Sequence, residues 1–239
     1  MSSPGSGSSG PLGVAVLASG VGTNLQALLD TVHGRDGVQI VAVASDTAGA
    51  AALGRAERAG VPTRVFRRAQ YDGDREARDR AMASWLVDRK ARLVVLAGYM
   101  QLVGPAFLAR FPDAVINVHP ALLPAFPGLD AVGQALAYGV KVFGVSVHFV
   151  DEGVDTGPVI LQRAIELPDA REPEDVLPRL HEIEHVLLPE VVRLIARGEV
   201  RIEGGGERRR VSVGGSRGAR GGAVAATGGR PGDIAVAER

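Results

Sequence analysis

The sequence predicts an α/β protein: a Rossmann-like, mostly parallel sheet flanked by helices, with two antiparallel strands at its C-terminal side. Three observations predict it. Short apolar runs alternate with stretches of helical periodicity from Leu12 to Val118, the pattern of consecutive βαβ units. Those runs are apolar at nearly every position, as strands covered on both faces must be. After Lys141 the alternation stops: Val142–Val150 and Val159–Ile165 are separated by eight residues, too few for a crossover helix, so this pair should run antiparallel.

The elements follow in order. Leu12–Ala18 (LGVAVLA) is a first strand closed by a turn signal, and Asn24–His33 is a helix with Leu25, Leu28 and Leu29 at helical spacing. Val38–Ala44 is a second strand. Ala48–Ala59 reads as a helix ended by Gly60 and Pro62, and Thr63–Phe66 as a short third strand. Asp74–Arg89 is amphipathic, with Met82, Trp85 and Leu86 on one face. Leu93–Ala97 is a buried strand, Pro105–Arg110 a short helix opened by proline, and Val115–Val118 a fifth strand. Glu174–Ala196 is a long final helix, expected to bend or break at Pro178 or Pro189.

Composition bounds the rest. Residues 1–10 are almost all Ser, Gly and Pro, and residues 204–239 are rich in Gly, Arg and Ala without an aromatic. Both are expected to be disordered, since neither buries enough apolar surface to offset chain entropy. That leaves residues 11–203 as one domain of roughly 190 residues. The formal net charge is +0, which gives no global field for nucleic acid. The absence of cysteine excludes disulfides, thiolate metal sites and a Cys nucleophile. No apolar run reaches the ~18 residues of a membrane span, and the N-terminus has no signal-peptide pattern, so the expected location is the cytoplasm.

Two regions carry candidate chemistry. Ser19-Gly20-Val21-Gly22-Thr23-Asn24 joins the first strand to the first helix. Its glycines allow close backbone approach, and the helix N-terminus offers free N–H groups and the positive end of a dipole, which suit phosphate. It is neither a Walker A loop nor a full dinucleotide fingerprint, because Leu25 stands at the third glycine, although Asp46 follows the second strand. A plain tight turn fits the same residues.

Asn117 and His119 fall at the carboxyl end of the fifth strand, where open α/β sheets bind ligands. Alternation sends both side chains to one face. Both are polar where the pattern asks for apolar residues. The proline-rich loop Pro120–Gly128 follows and is expected to wall a cleft. The acidic turn Asp151–Pro158 is expected at the same sheet end, with Asp155 beside His119 to favour the imidazolium and fix its tautomer. A capped strand end and an ordinary acidic turn remain possible on these residues alone. His148, among apolar neighbours, reads as a core histidine or one that supports the site residues from behind. HEIEH (His181–His185) matches a zinc pattern, but no third ligand follows it.

At this point the sequence resembles the phosphoribosylglycinamide formyltransferase family, from Leu12 to about Arg201. The resemblance is carried by SGVGTNLQALL (Ser19–Leu29), VVLAGYMQLV (Val94–Val103), INVHPALLPAFPG (Ile116–Gly128) and VSVHFVDEGVDTGPVILQ (Val145–Gln162). It implies formyl transfer from the co-substrate 10-formyltetrahydrofolate to the glycinamide amine, with Asn117, His119 and Asp155 as catalytic groups and no metal. It implies that Gly22, Thr23 and Asn24 hold the substrate phosphate and that His181, Glu182, Ile183 and Glu184 lie near the ribotide. It implies folate contacts from Arg75, Met100, Gln101, Leu102, Val103, Asn117, Asp151, Glu152, Gly153, Val154 and Asp155. The chain departs from the family pattern at Gln101 and Ala125, where relatives often carry Arg and Lys. The implied partners are small molecules, with neither nucleic acid nor membrane, for a monomer or weak homodimer. Methionyl-tRNA formyltransferase and formyltetrahydrofolate hydrolase share the catalytic strings but normally add a further domain. A nucleotide-dependent oxidoreductase or a phosphate-ligand-binding module would use the glycine loop alone.

Overall fold

The computed structural model describes residues 10–205 and 209–214. Its main sheet contains β1 (Leu12–Leu17), β2 (Val38–Ser45), β3 (Thr63–Val65), β4 (Leu93–Leu96), β5 (Val115–His119), β6 (Val142–Phe149) and β7 (Val159–Glu166), in the order β3-β2-β1-β4-β5-β6-β7. Neighbours from β3 to β5 are parallel, and β6 is antiparallel to both β5 and β7, as the short link predicts.

Among the described residues six α-helices flank the sheet: α1 (Thr23–Thr31), α2 (Ala51–Arg58), α3 (Arg75–Asp88), α4 (Pro105–Leu108), α5 (Ala131–Tyr138) and α6 (Pro173–Ala196). The period-2 alternation of β1 divides the core between two layers. Val14 and Val16 pack with Leu25, Leu28, Leu180 and Leu188 of α1 and α6, whereas Ala15 and Leu17 pack with Met82, Leu86 and Phe107 of α3 and α4. Both sets are fully buried, which is why the strand reads as one unbroken apolar run. Truncating a residue such as Leu180 to alanine costs ~2–5 kcal/mol.

Three features differ from the sequence reading. The final helix is neither split at Pro178 nor at Pro189, but runs as one element of 24 residues. A proline inside a helix costs ~3 kcal/mol. Here Val176, Leu180, Leu187, Leu188, Val191 and Val192 are all buried along its length, each worth ~1.5–3 kcal/mol, and hold the helix together. The second difference is α5, which the sequence reading leaves as loop. Its signals are Asp130, whose side chain caps Gly133 N–H, and Gly139 at φ 82 closing the C-terminus.

The third concerns the expected boundary at Glu203. Strands β8 (Val200–Glu203) and β9 (Arg210–Val213) form a separate antiparallel hairpin that carries ordered structure past that boundary. Val211 lies opposite Ile202, both pack against the core, and Arg209 pairs with Asp113. One short alternating strand, RVSV, was submerged in the Gly/Arg-rich composition around it. Residues 1–9 and 215–239, expected to be disordered, lie outside the described residues. Among the described residues no helix is long and apolar enough to cross a membrane.

Candidate active site

The strand order reverses between β1 and β4, which opens a crevice at their carboxyl ends. The loop after β1 enters it. Gly22 sits at φ 75 and starts α1, and a Cβ there would meet Ala52 Cβ at 2.7 Å, so only glycine fits. Arg55 on α2 grips the loop from one side, donating to Val21 C=O at 2.8 Å and to Gln26 at 3.0 Å. Ser19 ties it to the loop after β4: its N–H reaches Gly98 C=O at 3.0 Å, and its hydroxyl accepts from Met100 N–H at 2.9 Å. The backbone N–H groups of Thr23 and Asn24, in the first turn of α1, have no helical carbonyl before them to bond.

Asn24 is buried and donates to Glu184 of α6 at 2.7 Å. Burial pushes the Glu184 carboxyl above its ordinary range; the Asn24 bond and the nearby His181 oppose that rise. The Asn24 carbonyl oxygen is buried with no partner among the described residues. Of the four α6 residues the family pattern assigns to the ribotide, only Glu184 meets the glycine loop. His181 is exposed and stacks on His185, Glu182 turns outward to Arg179 at 3.7 Å, and Ile183 packs toward the core.

The second cluster is built around Asp155. Its Oδ1 lies 3.4 Å from Asn117 Nδ2 and 3.4 Å from His148 Nε2, and its Oδ2 lies 3.4 Å from His119 Nδ1. Gly128 N–H donates to Oδ2 at 2.7 Å. Burial alone would raise the carboxyl, but the His148 bond, the Gly128 bond and the fields of both histidines outweigh it and hold the group down at about 2. Asp155 itself stands at φ 53, a left-handed conformation kept in place by these bonds.

Each histidine has its far nitrogen on a backbone carbonyl: His119 Nε2 on Phe126 at 2.8 Å and His148 Nδ1 on Phe149 at 2.8 Å. A carbonyl only accepts, so both far nitrogens carry hydrogen. The near nitrogens both face the carboxylate: His148 Nε2 lies 3.4 Å from Asp155 Oδ1 and 3.2 Å from Asn117 Nδ2, and His119 Nδ1 lies 3.4 Å from Asp155 Oδ2.

The expected convergence of Asn117, His119 and Asp155 is present, but its route differs in one respect. The turn bearing Asp155 does not leave at the carboxyl end of β5. In the β5/β6 register Phe149 pairs with Ile116 and His148 with Asn117, so β6 ends beside the start of β5. The following loop doubles back over the sheet to bring Asp155 to Asn117 and His119. Sequence spacing cannot show this, because the register of β6 decides it. The proline-rich loop walls the site as expected: Phe126 holds one side of His119 and Gly128 one side of Asp155. His148, read as core or as a support behind the site, touches both Asn117 and Asp155; the signal for it was a polar residue directly opposite Asn117 on the next strand.

A cleft of about 590 Å³ adjoins the cluster. Its walls are Arg75, Met100–Pro105, Gly128–Val132, Asp151–Asp155 and Leu177, with Asn117, His119 and His148 at its inner end. Every residue the family pattern assigns to the folate lines this one space. Gly22, Thr23 and Asn24 lie outside it and reach it through the Ser19–Met100 contact. Among the described residues no three His, Cys, Asp or Glu side chains are grouped to hold a metal ion.

A doubly wound sheet carrying an acid–imidazole–amide cluster in a cleft, with a glycine loop opening its first helix, is the framework of an enzyme. The formyl transferase family model matches residues 12–192, and the chain belongs to that family, among its phosphoribosylglycinamide formyltransferases. It is 40% identical over 180 residues to the phosphoribosylglycinamide formyltransferase of Bacillus subtilis, covering 75% of this chain and 92% of that one. Against the enzyme of that name from Mycobacterium tuberculosis H37Rv it is 42% identical over 196 residues, covering 82% and 90%. The crystal structure of glycinamide ribonucleotide transformylase 1 from Symbiobacterium toebii superposes with a TM-score of 0.80 at 47% identity, covering 85% of this chain and 94% of that one.

Proposed function

We propose that the protein transfers the formyl group of 10-formyltetrahydrofolate to the amine of phosphoribosylglycinamide, a step of purine biosynthesis. The observation that carries the reading is the meeting of Asn117, His119 and His148 on the single carboxylate of Asp155, in a cleft whose wall at Met100 is tied to the glycine loop through Ser19.

The amine nitrogen attacks the formyl carbon. A carbon–nitrogen bond forms, and negative charge gathers on the former carbonyl oxygen. Asn117 and the His119 imidazolium meet that oxygen. Of the Asn117 amide hydrogens, the one now on the long 3.4 Å contact to Asp155 turns to it, while the other stays on His148. One such donor is worth ~10²–10³ in rate. The bond to the folate nitrogen then breaks, and the proton lost by the amine passes to that nitrogen through His119 or a bound water, worth ~10²–10⁴. Fixed donors meet the developing charge, so the reading calls on no metal. The ribotide phosphate lies on the N–H groups of Gly22, Thr23 and Asn24, its ribose near Glu184, and the folate fills the cleft between Met100–Val103 and Asp151–Asp155. Holding both substrates in one geometry supplies the remaining advantage.

A spectrophotometric assay with both substrates tests this. Tetrahydrofolate formation that requires phosphoribosylglycinamide supports the transferase. Release of formate from the folate with water alone would make the protein a hydrolase instead.

A further inference from the structure

Two adjacent charged side chains on α3, Arg78 and Asp79, lie wholly inside the protein, with side-chain exposures of 1% and 0%. Arg78 donates to Asp79 Oδ1 through Nε at 3.0 Å and through Nη2 at 2.7 Å. Both partners also reach beyond the pair. Arg78 Nη2 donates to Leu102 C=O at 3.1 Å, and Asp79 Oδ2 accepts from Gly104 N–H at 2.7 Å. The backbone so held, Leu102 to Gly104, is one wall of the cleft.

Burying an ion pair costs several kcal/mol per ion, and packed apolar residues usually stabilise a fold as well or better. What an apolar pair cannot do is bond a carbonyl and an N–H of the same loop, two residues apart. The fit is close on both sides: a Cβ on Gly104 would meet Asp79 Oδ2 at 3.2 Å. Tyr99, on the same wall, shares this environment. Burial pushes its hydroxyl up to about 12, with Arg78 pulling it down and Asp46 and Asp79 raising it.

We infer that Arg78 and Asp79 are positioning residues for the formyl donor, fixing the Leu102–Gly104 backbone against which the donor packs. This rests on the reading of the cleft as the donor's site. Steady-state kinetics with each substrate varied in turn tests it, alongside Leu102→Asp, which alters the cleft wall directly. Asp79→Ala is expected to raise the donor KM about tenfold, the equivalent of ~1.4 kcal/mol, with kcat and the ribotide KM within twofold of wild type. Asp79→Asn, whose amide oxygen still accepts from Gly104, recovers part of the loss. Arg78→Lys keeps the charge but not both bonds and raises the donor KM less than Asp79→Ala does. These two milder variants carry the test if Asp79→Ala yields no folded protein. A donor KM unchanged in all three while Leu102→Asp raises it leaves the pair a fold-stabilising feature only and overturns the inference alone. Equal rises in both KM values overturn it in the same way. A donor KM unmoved by Leu102→Asp removes the donor from this wall, and the inference falls together with the reading beneath it.

Discussion

Replacing Asp155 by asparagine changes the charge of the cluster while nearly conserving its shape. The carbonyl oxygen of the new amide can still accept from Gly128 N–H, so the proline-rich loop keeps its anchor. What is lost is the negative charge 3.4 Å from His119 Nδ1, on which the proposed mechanism relies. Two structural quantities bracket that loss. The carboxyl is held from 3.8 down to about 2, and 3.8 − 2 is about 1.8 units, which corresponds to about 2 kcal/mol net of the burial it overcomes. The bare attraction of unit charges at the His119–Asp155 distance of 3.4 Å is about 5 kcal/mol at an effective dielectric of 20. A transition state that depends on the imidazolium should therefore lose on the order of 10²–10³ in kcat. Both KM values should change far less than kcat, because the Gly128 bond and the shape of the cleft wall are kept. The same substitution costs stability. A carboxyl depressed on folding contributes fully above the unfolded value of 3.8 and loses its contribution as the pH falls toward about 2, so at neutral pH the variant lacks all of it. Initial rates from the folate absorbance change, taken across neutral pH, measure the effect. Near-wild-type turnover throughout would show that His119 does not act through Asp155.

Three further outcomes are expected. Glu184→Gln should melt higher than wild type at pH 8, because a carboxyl raised on folding stabilises below its unfolded value of 4.5 and loses that contribution as the pH rises through its folded value. The new amide can also donate to the unpartnered Asn24 oxygen. Its advantage should vanish below pH 4.5 in calorimetry, while the ribotide KM rises about tenfold, the loss of ~1.4 kcal/mol of binding; a lower melting temperature at pH 8 would contradict the burial argument. Gly22→Ala should cost about 2–4 kcal/mol, combining strain at positive φ with the overlap on Ala52, and a urea-denaturation loss under 0.5 kcal/mol would show that the loop relaxes freely. His148→Phe removes the ring nitrogen that contacts both Asn117 and Asp155 and should lower kcat about tenfold, one hydrogen bond's worth of ~1.4 kcal/mol. Unchanged turnover there would return His148 to a packing role.

The parallel part of the fold was legible because covered strands are apolar at nearly every position, as β1 and β4 are throughout and β2 is apart from Gln39 and Ser45. The antiparallel β6/β7 pair followed from the length of one link. Asn117 and His119 stood out as polar residues on an apolar strand. Legibility failed where tertiary partners decide. Nothing local shows that the Asp155 loop doubles back, since that depends on Phe149 pairing with Ile116. His148 looked like core because it is buried; its chemistry comes from what faces it across the β5/β6 ladder. Arg78 and Asp79 sit in a helix whose charged residues all look solvated in sequence, and only the 102–104 loop laid over them makes them internal. Pro178 and Pro189 pointed to a break that buried apolar residues on both sides of them prevented.

The Asn24–Glu184 bond joins residues 160 positions apart, from the first helix and the last. On the ribosome, the glycine turn is complete long before its acidic counterpart is translated. A polypeptide halted anywhere short of α6 can possess the turn and much of the sheet, yet has only half of the seat proposed for the ribotide.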